Sequence, residues 1–110
     1  MVDIETARQM ALSLPGTVEQ DHFGIPSFRA NKKIFSTMLE KERRMMVKLS
    51  IIDQSVFGSF DAAVFYPVQN KWGLKGATVV ELDKVPPEML EDALTTAWRL
   101  VTQKKKVKKF

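Results

Sequence analysis

The sequence predicts an α+β fold: one two-layer domain in which a single antiparallel sheet carries helices packed on one face, in the order α-β-β-β-α-β-β-α. Three observations predict it. Apolar residues recur at helical spacing near both ends of the chain, they alternate with a period of two through the middle, and the polar breaks between the middle runs are too short for crossover connections. With 110 residues, 45% of them apolar, the chain has enough material for one packed core and too little for two.

The first helix is read from about Asp3 to Leu14. Ile4, Ala7, Met10, Ala11 and Leu14 fall on one face, Asp3 is placed to cap the N-terminus, and Pro15-Gly16 ends the run. From Pro26 the period changes. Ser27 to Asn31 and Ile34 to Leu39 read as strands around the polar turn Asn31-Lys32-Lys33, and Glu40-Lys41-Glu42-Arg43 leads into a third strand, Arg44 to Leu49. In that strand Met45, Val47 and Leu49 alternate with Met46 and Lys48, as expected of a sheet with one buried face. Asp53 is placed to cap a short helix carrying Val56, Phe57 and Phe60. Ala63 to Tyr66 and Ala77 to Leu82 read as two more strands. Pro86-Pro87-Glu88 opens a last helix with acids early, Arg99 late, and Leu90, Ala93, Leu94, Ala97 and Val101 on one face. Residues 1–103 are thus one domain, and 104–110 a basic tail expected to fray.

Charge is distributed unevenly. Seventeen basic and thirteen acidic residues give a net +4, but five of the lysines fall in the tail, at 104, 105, 106, 108 and 109. The remainder holds twelve bases and thirteen acids, a net −1, so the basicity of the whole chain is not that of its folded body. The chain has no cysteine, which excludes disulfides and thiolate metal sites. No apolar stretch approaches the roughly 20 residues of a bilayer span, and the acidic start Met1-Val2-Asp3-Ile4-Glu5 is unlike a secretory signal. A cytoplasmic location is expected.

Ala11-Leu12-Ser13-Leu14-Pro15-Gly16, Phe23-Gly24-Ile25-Pro26-Ser27-Phe28-Arg29 and Lys32-Lys33-Ile34-Phe35, followed by Lys71-Trp72-Gly73 and the Pro86-Pro87-Glu88 helix start, resemble the MmcQ/YjbR-like family in order and spacing. The resemblance covers roughly residues 3 to 101. It implies an α+β fold similar to the type III secretion chaperones and a sheet likened to a DNA-binding double wing. It supplies no catalytic residues.

Chemistry-bearing residues are few. His22 is the one histidine, and Asp21, its neighbour on an extended segment, points to the opposite side. No zinc set, nucleophile elbow or glycine-rich phosphate loop is present, so no catalytic residue, metal site or cofactor is expected, and His22 reads as a structural hydrogen-bonding residue near the end of helix one. Lys71-Trp72-Gly73 with Lys75 is the most specific local feature. The indole either stacks on a base or wedges into a groove, with lysines on phosphate, or it closes the core with Gly73 allowing close approach. Lys32 and Lys33 occupy one sheet turn and Lys41, Arg43 and Arg44 the next, at opposite ends of the sheet, so the two clusters cannot grip one short ligand tip-first. The lysine tail either grips phosphate or solubilises. The methionines fit a core, with one of Met45 and Met46 partly exposed.

The expectation is therefore binding of duplex DNA, weakly specific or without sequence specificity, through Arg29, Lys32, Lys33, Lys71, Trp72 and Lys75, by a monomer or weak dimer that is not an enzyme. The alternative is a protein-interaction module using an exposed sheet face or edge. A small-ligand or catalytic pocket near His22 ranks third.

Overall fold

A computed structural model describes residues 1–103; the basic tail read at 104–110 lies outside the described residues. The first helix, α1 (Ile4–Leu12), starts where Asp3 accepts a hydrogen bond from the Thr6 N–H at 2.7 Å, and it buries Ala7 and Ala11. Then come β1 (Val18–His22), β2 (Ile25–Ala30), β3 (Lys33–Leu39), β4 (Arg44–Lys48), α2 (Ile51–Phe60), β5 (Phe65–Pro67), a 3-10 turn (Gly73–Lys75), β6 (Ala77–Glu81) and α3 (Pro87–Thr102). The six strands form one antiparallel sheet in the order β1-β2-β3-β4-β6-β5. This is the expected α+β class with one strand more than expected.

The additional strand is β1. Val18-Glu19-Gln20-Asp21-His22 has one apolar residue and no buried one, so it lacks the alternation that marks a strand. Its pairing with β2, from Val18↔Arg29 to His22↔Ile25, is set by the two-residue turn Phe23-Gly24. Both turn residues have positive φ, 54° and 82°, which matches the twist of the flanking strands. The next turn uses the same device at Asn31 and Lys32.

The cap of α2 also differs from expectation. Ser50, not Asp53, is the N-cap: its Oγ accepts the Asp53 N–H at 3.0 Å, and Asp53 lies in the first turn.

One face of the sheet is the core. Phe28, Met38, Met45, Val47, Val80 and Phe65 are buried with Leu90, Ala93, Leu94, Ala97 and Val101 of α3. Each large side chain so buried contributes about 1.5–3 kcal/mol. Phe57 of α2 packs on Phe65 with ring centroids 5.0 Å apart. The Trp98 indole N–H donates to the Pro15 carbonyl at 2.8 Å and ties α3 to the end of α1. Arg8 pairs with Glu5, Glu19 and Glu40, joining α1 to β1 and to the β3–β4 turn.

The register of β2 and β3 contains a bulge. Phe28 pairs with Ser36 and Arg29 with Ile34, leaving Phe35 as the extra residue. Phe35 and Ser36 are consequently both buried, while Ile34 and Thr37 reach the opposite face. Among the described residues no helix is long and apolar enough to cross a membrane.

Candidate nucleic-acid interface

The helices leave the second sheet face uncovered. Strand alternation brings Ile25, Ser27 and Arg29 of β2, Ile34 and Thr37 of β3, Met46 and Lys48 of β4, and Ala77 and Val79 of β6 to that face. The face is concave and forms a groove of about 610 Å³. Its floor is apolar, made by Ile25, Ile34, Met46 and Ala77, and one wall is the segment from Val68 to Lys75.

That wall is held by backbone contacts that only glycine permits. A Cβ on Gly73 would stand 1.9 Å from the Val68 carbonyl oxygen, and one on Gly76 the same distance from that of Leu49. Gly76 also has φ 111°, a conformation that side chains disfavour. Asn70 Oδ1 accepts the Trp72 N–H at 2.8 Å. From α2, the Gln54 amide donates to the carbonyls of Gly73 and Ala77 at 2.9 and 3.1 Å. The glycines supply the close packing, so the indole does not have to. Trp72 is 58% exposed on the groove wall, which overturns its reading as a residue closing the core.

The Lys75 ammonium lies 5.4 Å from the Trp72 ring centroid, a cation–π contact. On β2, Arg29 donates from Nε to Ser27 Oγ at 3.2 Å and carries its guanidinium to 3.5 Å from His22 Nδ1. His22 sits at the end of β1, lines the groove, and meets the Phe23 ring edge-on at 4.7 Å. It is therefore a groove residue on a strand, not a residue near the end of helix one.

Of the residues singled out in the sequence, Trp72 and Lys75 meet on the wall, and Arg29 lies on the same sheet face beside His22. Lys71 is exposed next to Trp72 without lining the groove. Lys32 and Lys33 stand at the β2–β3 turn; by register this is the sheet end that also holds Lys48 and Ala77, but neither lysine lines the groove. The Lys41–Arg44 cluster is at the other end, as expected. Sequence reasoning missed Lys48, Ile34 and Phe23; of Met45 and Met46, one of which was expected to be partly exposed, it is Met46. For Lys48 a signal existed: it shares the phase of Met46, opposite to the buried Met45 and Val47.

Among the described residues the groove's charged lining is of one sign: Lys48 and Lys75 line it together with the His22 imidazole, and no carboxylate does. The acid that shares this face of β6, Glu81, is engaged: Arg44 Nε donates to it at 2.8 Å, and the Tyr66 hydroxyl also donates to it. Burial, together with that carboxylate, raises the Tyr66 phenol above its ordinary pKa. Acids gather instead on the helix side, where Glu88, Glu91 and Asp92 line a smaller hollow of about 280 Å³ with Met10, Leu14 and Arg99.

The family model described as YjbR matches residues 12–100, a span that contains every groove residue named above. The chain belongs to the YjbR family. The crystal structure of the Deinococcus radiodurans protein DR2400 is similar to this YjbR domain with a TM-score of 0.80 and 22% identity, covering 98% of this chain and 84% of that one. At that identity the likeness is one of fold. No curated protein matches the chain.

Proposed function

We propose that the open sheet face of this YjbR domain binds nucleic acid with weak or no sequence specificity, and that the domain acts by binding and not by catalysis. The observation that carries this reading is charge segregation. Residues 1–103 hold one more acid than base, yet among them the charged residues that line the groove are Lys48 and Lys75, with no carboxylate. Lysines there neutralise phosphates and release their counterions, and the exposed Trp72 offers a flat apolar surface to a base. Arg29 adds a cation on the same face, and Lys32, Lys33 and Lys71 extend the basic margin at the end nearest Lys48.

The test is fluorescence anisotropy with labelled DNA, single-stranded and duplex, across a salt series, on the full chain and on one ending at Thr102. The shorter chain is expected to bind, with a slope in log K against log salt of about −2 for the single strand and about −2.7 for the duplex, as for roughly three phosphate contacts. Trp72→Ala should weaken binding by about 1–3 kcal/mol and leave the fold intact. Loss of all binding with the tail would refute the reading.

A different observation favours a second reading, a protein-interaction module. Ile51, Ile52, Val56 and Phe60 of α2 are all exposed, and Ile52, Val56 and Phe60 form one stripe at four-residue spacing. That surface is a helix face, not the sheet face or edge expected from the sequence.

A further inference from the structure

We infer that the groove takes unpaired nucleotides of a single strand, with Phe23 and Trp72 as its stacking surfaces, and not the duplex expected from the sequence. This rests on the nucleic-acid reading above and narrows its ligand. A duplex presents a convex, hydrated surface of phosphates and turns the faces of its bases inward, leaving only their edges within reach. Set against Ile25, Ile34, Met46 and Ala77, phosphates would lose water and gain no partner. An unpaired base brings the opposite surface, a planar face that an apolar floor and an indole can cover. The groove volume of about 610 Å³ lies within the range of small-ligand sites, of order 300–1,000 Å³.

The placement of Trp72 separates stacking from wedging. A wedge inserts between the base steps of a duplex, unstacks them and kinks the helix. Trp72 lines a concave wall, with Lys75 over its ring and 58% of its surface exposed.

Phe23 is the second surface. It is 91% exposed at the tip of the β1–β2 hairpin, has φ 54°, and touches His22, which lines the groove. An aromatic residue there gains nothing from the core and adopts a backbone conformation it disfavours. A stacking role accounts for both. Lys48, Lys75 and Arg29 supply the cations for the phosphates, a complementarity of charge that matches a polyanion and not an acidic partner's apolar contacts alone.

The experiment compares a labelled thymidine oligonucleotide, an RNA strand of mixed sequence and a blunt DNA duplex by anisotropy at one salt concentration. In parallel, Trp98→Phe leaves Trp72 as the sole indole, and its fluorescence is followed during the same titrations. Single strands are expected to bind about tenfold more tightly than the duplex and to quench Trp72, and Phe23→Asn to weaken single-strand binding about fivefold or more. Equal or tighter duplex binding, or single-strand affinity unmoved by both Phe23→Asn and Trp72→Ala, overturns the inference while leaving nucleic-acid binding in place. No binding to any of the three overturns both.

Discussion

Phe23 carries two costs that its neighbours do not. A left-handed conformation is disfavoured for residues other than glycine and asparagine by about 1–2 kcal/mol, and the ring is 91% exposed. Asparagine before Gly24 is the residue pair that this turn prefers. Phe23→Asn is therefore expected to stabilise the fold by about 1 kcal/mol, read as a higher urea midpoint, even as it weakens ligand binding. A fall in stability would mean that the ring packs on the fold after all. Asp3 gives a second residue-scale expectation. The hydrogen bonds from Thr6 hold its carboxyl below the ordinary value of 3.8. A carboxyl depressed in the folded state adds stability that is full above its unfolded pKa and disappears as pH falls through the folded one. Asp3→Asn keeps a capping side chain without the titration, so its urea midpoint should decline less steeply below about pH 4 than that of the native chain.

At the scale of elements, the groove wall depends on glycine more than on any hydrogen bond. Gly73→Ala must push the loop off Val68, since its Cβ would meet backbone at 1.9 Å. The expected result is a loss of about 1–3 kcal/mol in stability together with a shifted Trp72 emission, whereas Trp72→Ala costs affinity and little stability. This wall also marks how far the elements were legible in the sequence. Strands β2, β3, β4 and β6, the long α3 and the Gly73 close approach could all be read from period, caps and turn residues. Strand β1 could not, because its core-facing side, Glu19 and Asp21, has no apolar residue and its turn carries Phe23 where asparagine would have announced it. The α2 cap departs from expectation because exposed Ile51 and Ile52 hide the helix start that Ser50 makes. For the site, Trp72 and Lys75 were legible as a local cluster. Their company with Lys48, Ile34 and His22 was not, since it follows from a strand order and a bulge that no local pattern encodes.

At the scale of the whole molecule, the two faces are electrically different although the described body is close to neutral: bases line the sheet groove, and Glu88, Glu91 and Asp92 gather among the helices. Net charge alone conceals this. The apolar stripe on α2 lines neither hollow, and one partner open to it on the second reading is another copy of the chain. Sedimentation velocity should then show a concentration-dependent dimer that Val56→Lys abolishes; a monomer at every concentration excludes that role for the stripe. The strand order has a consequence in time. β1 to β4 pair with sequence neighbours through short turns, whereas β5 has no sheet partner until β6 inserts between it and β4. Non-local pairing of this kind closes a longer loop and is the slower event. The loop that displays Trp72 lies between β5 and β6, so it gains its backing only when that insertion is complete. A half-folded chain would own most of the core and none of the finished groove, and ligand capture would begin only with the last strand.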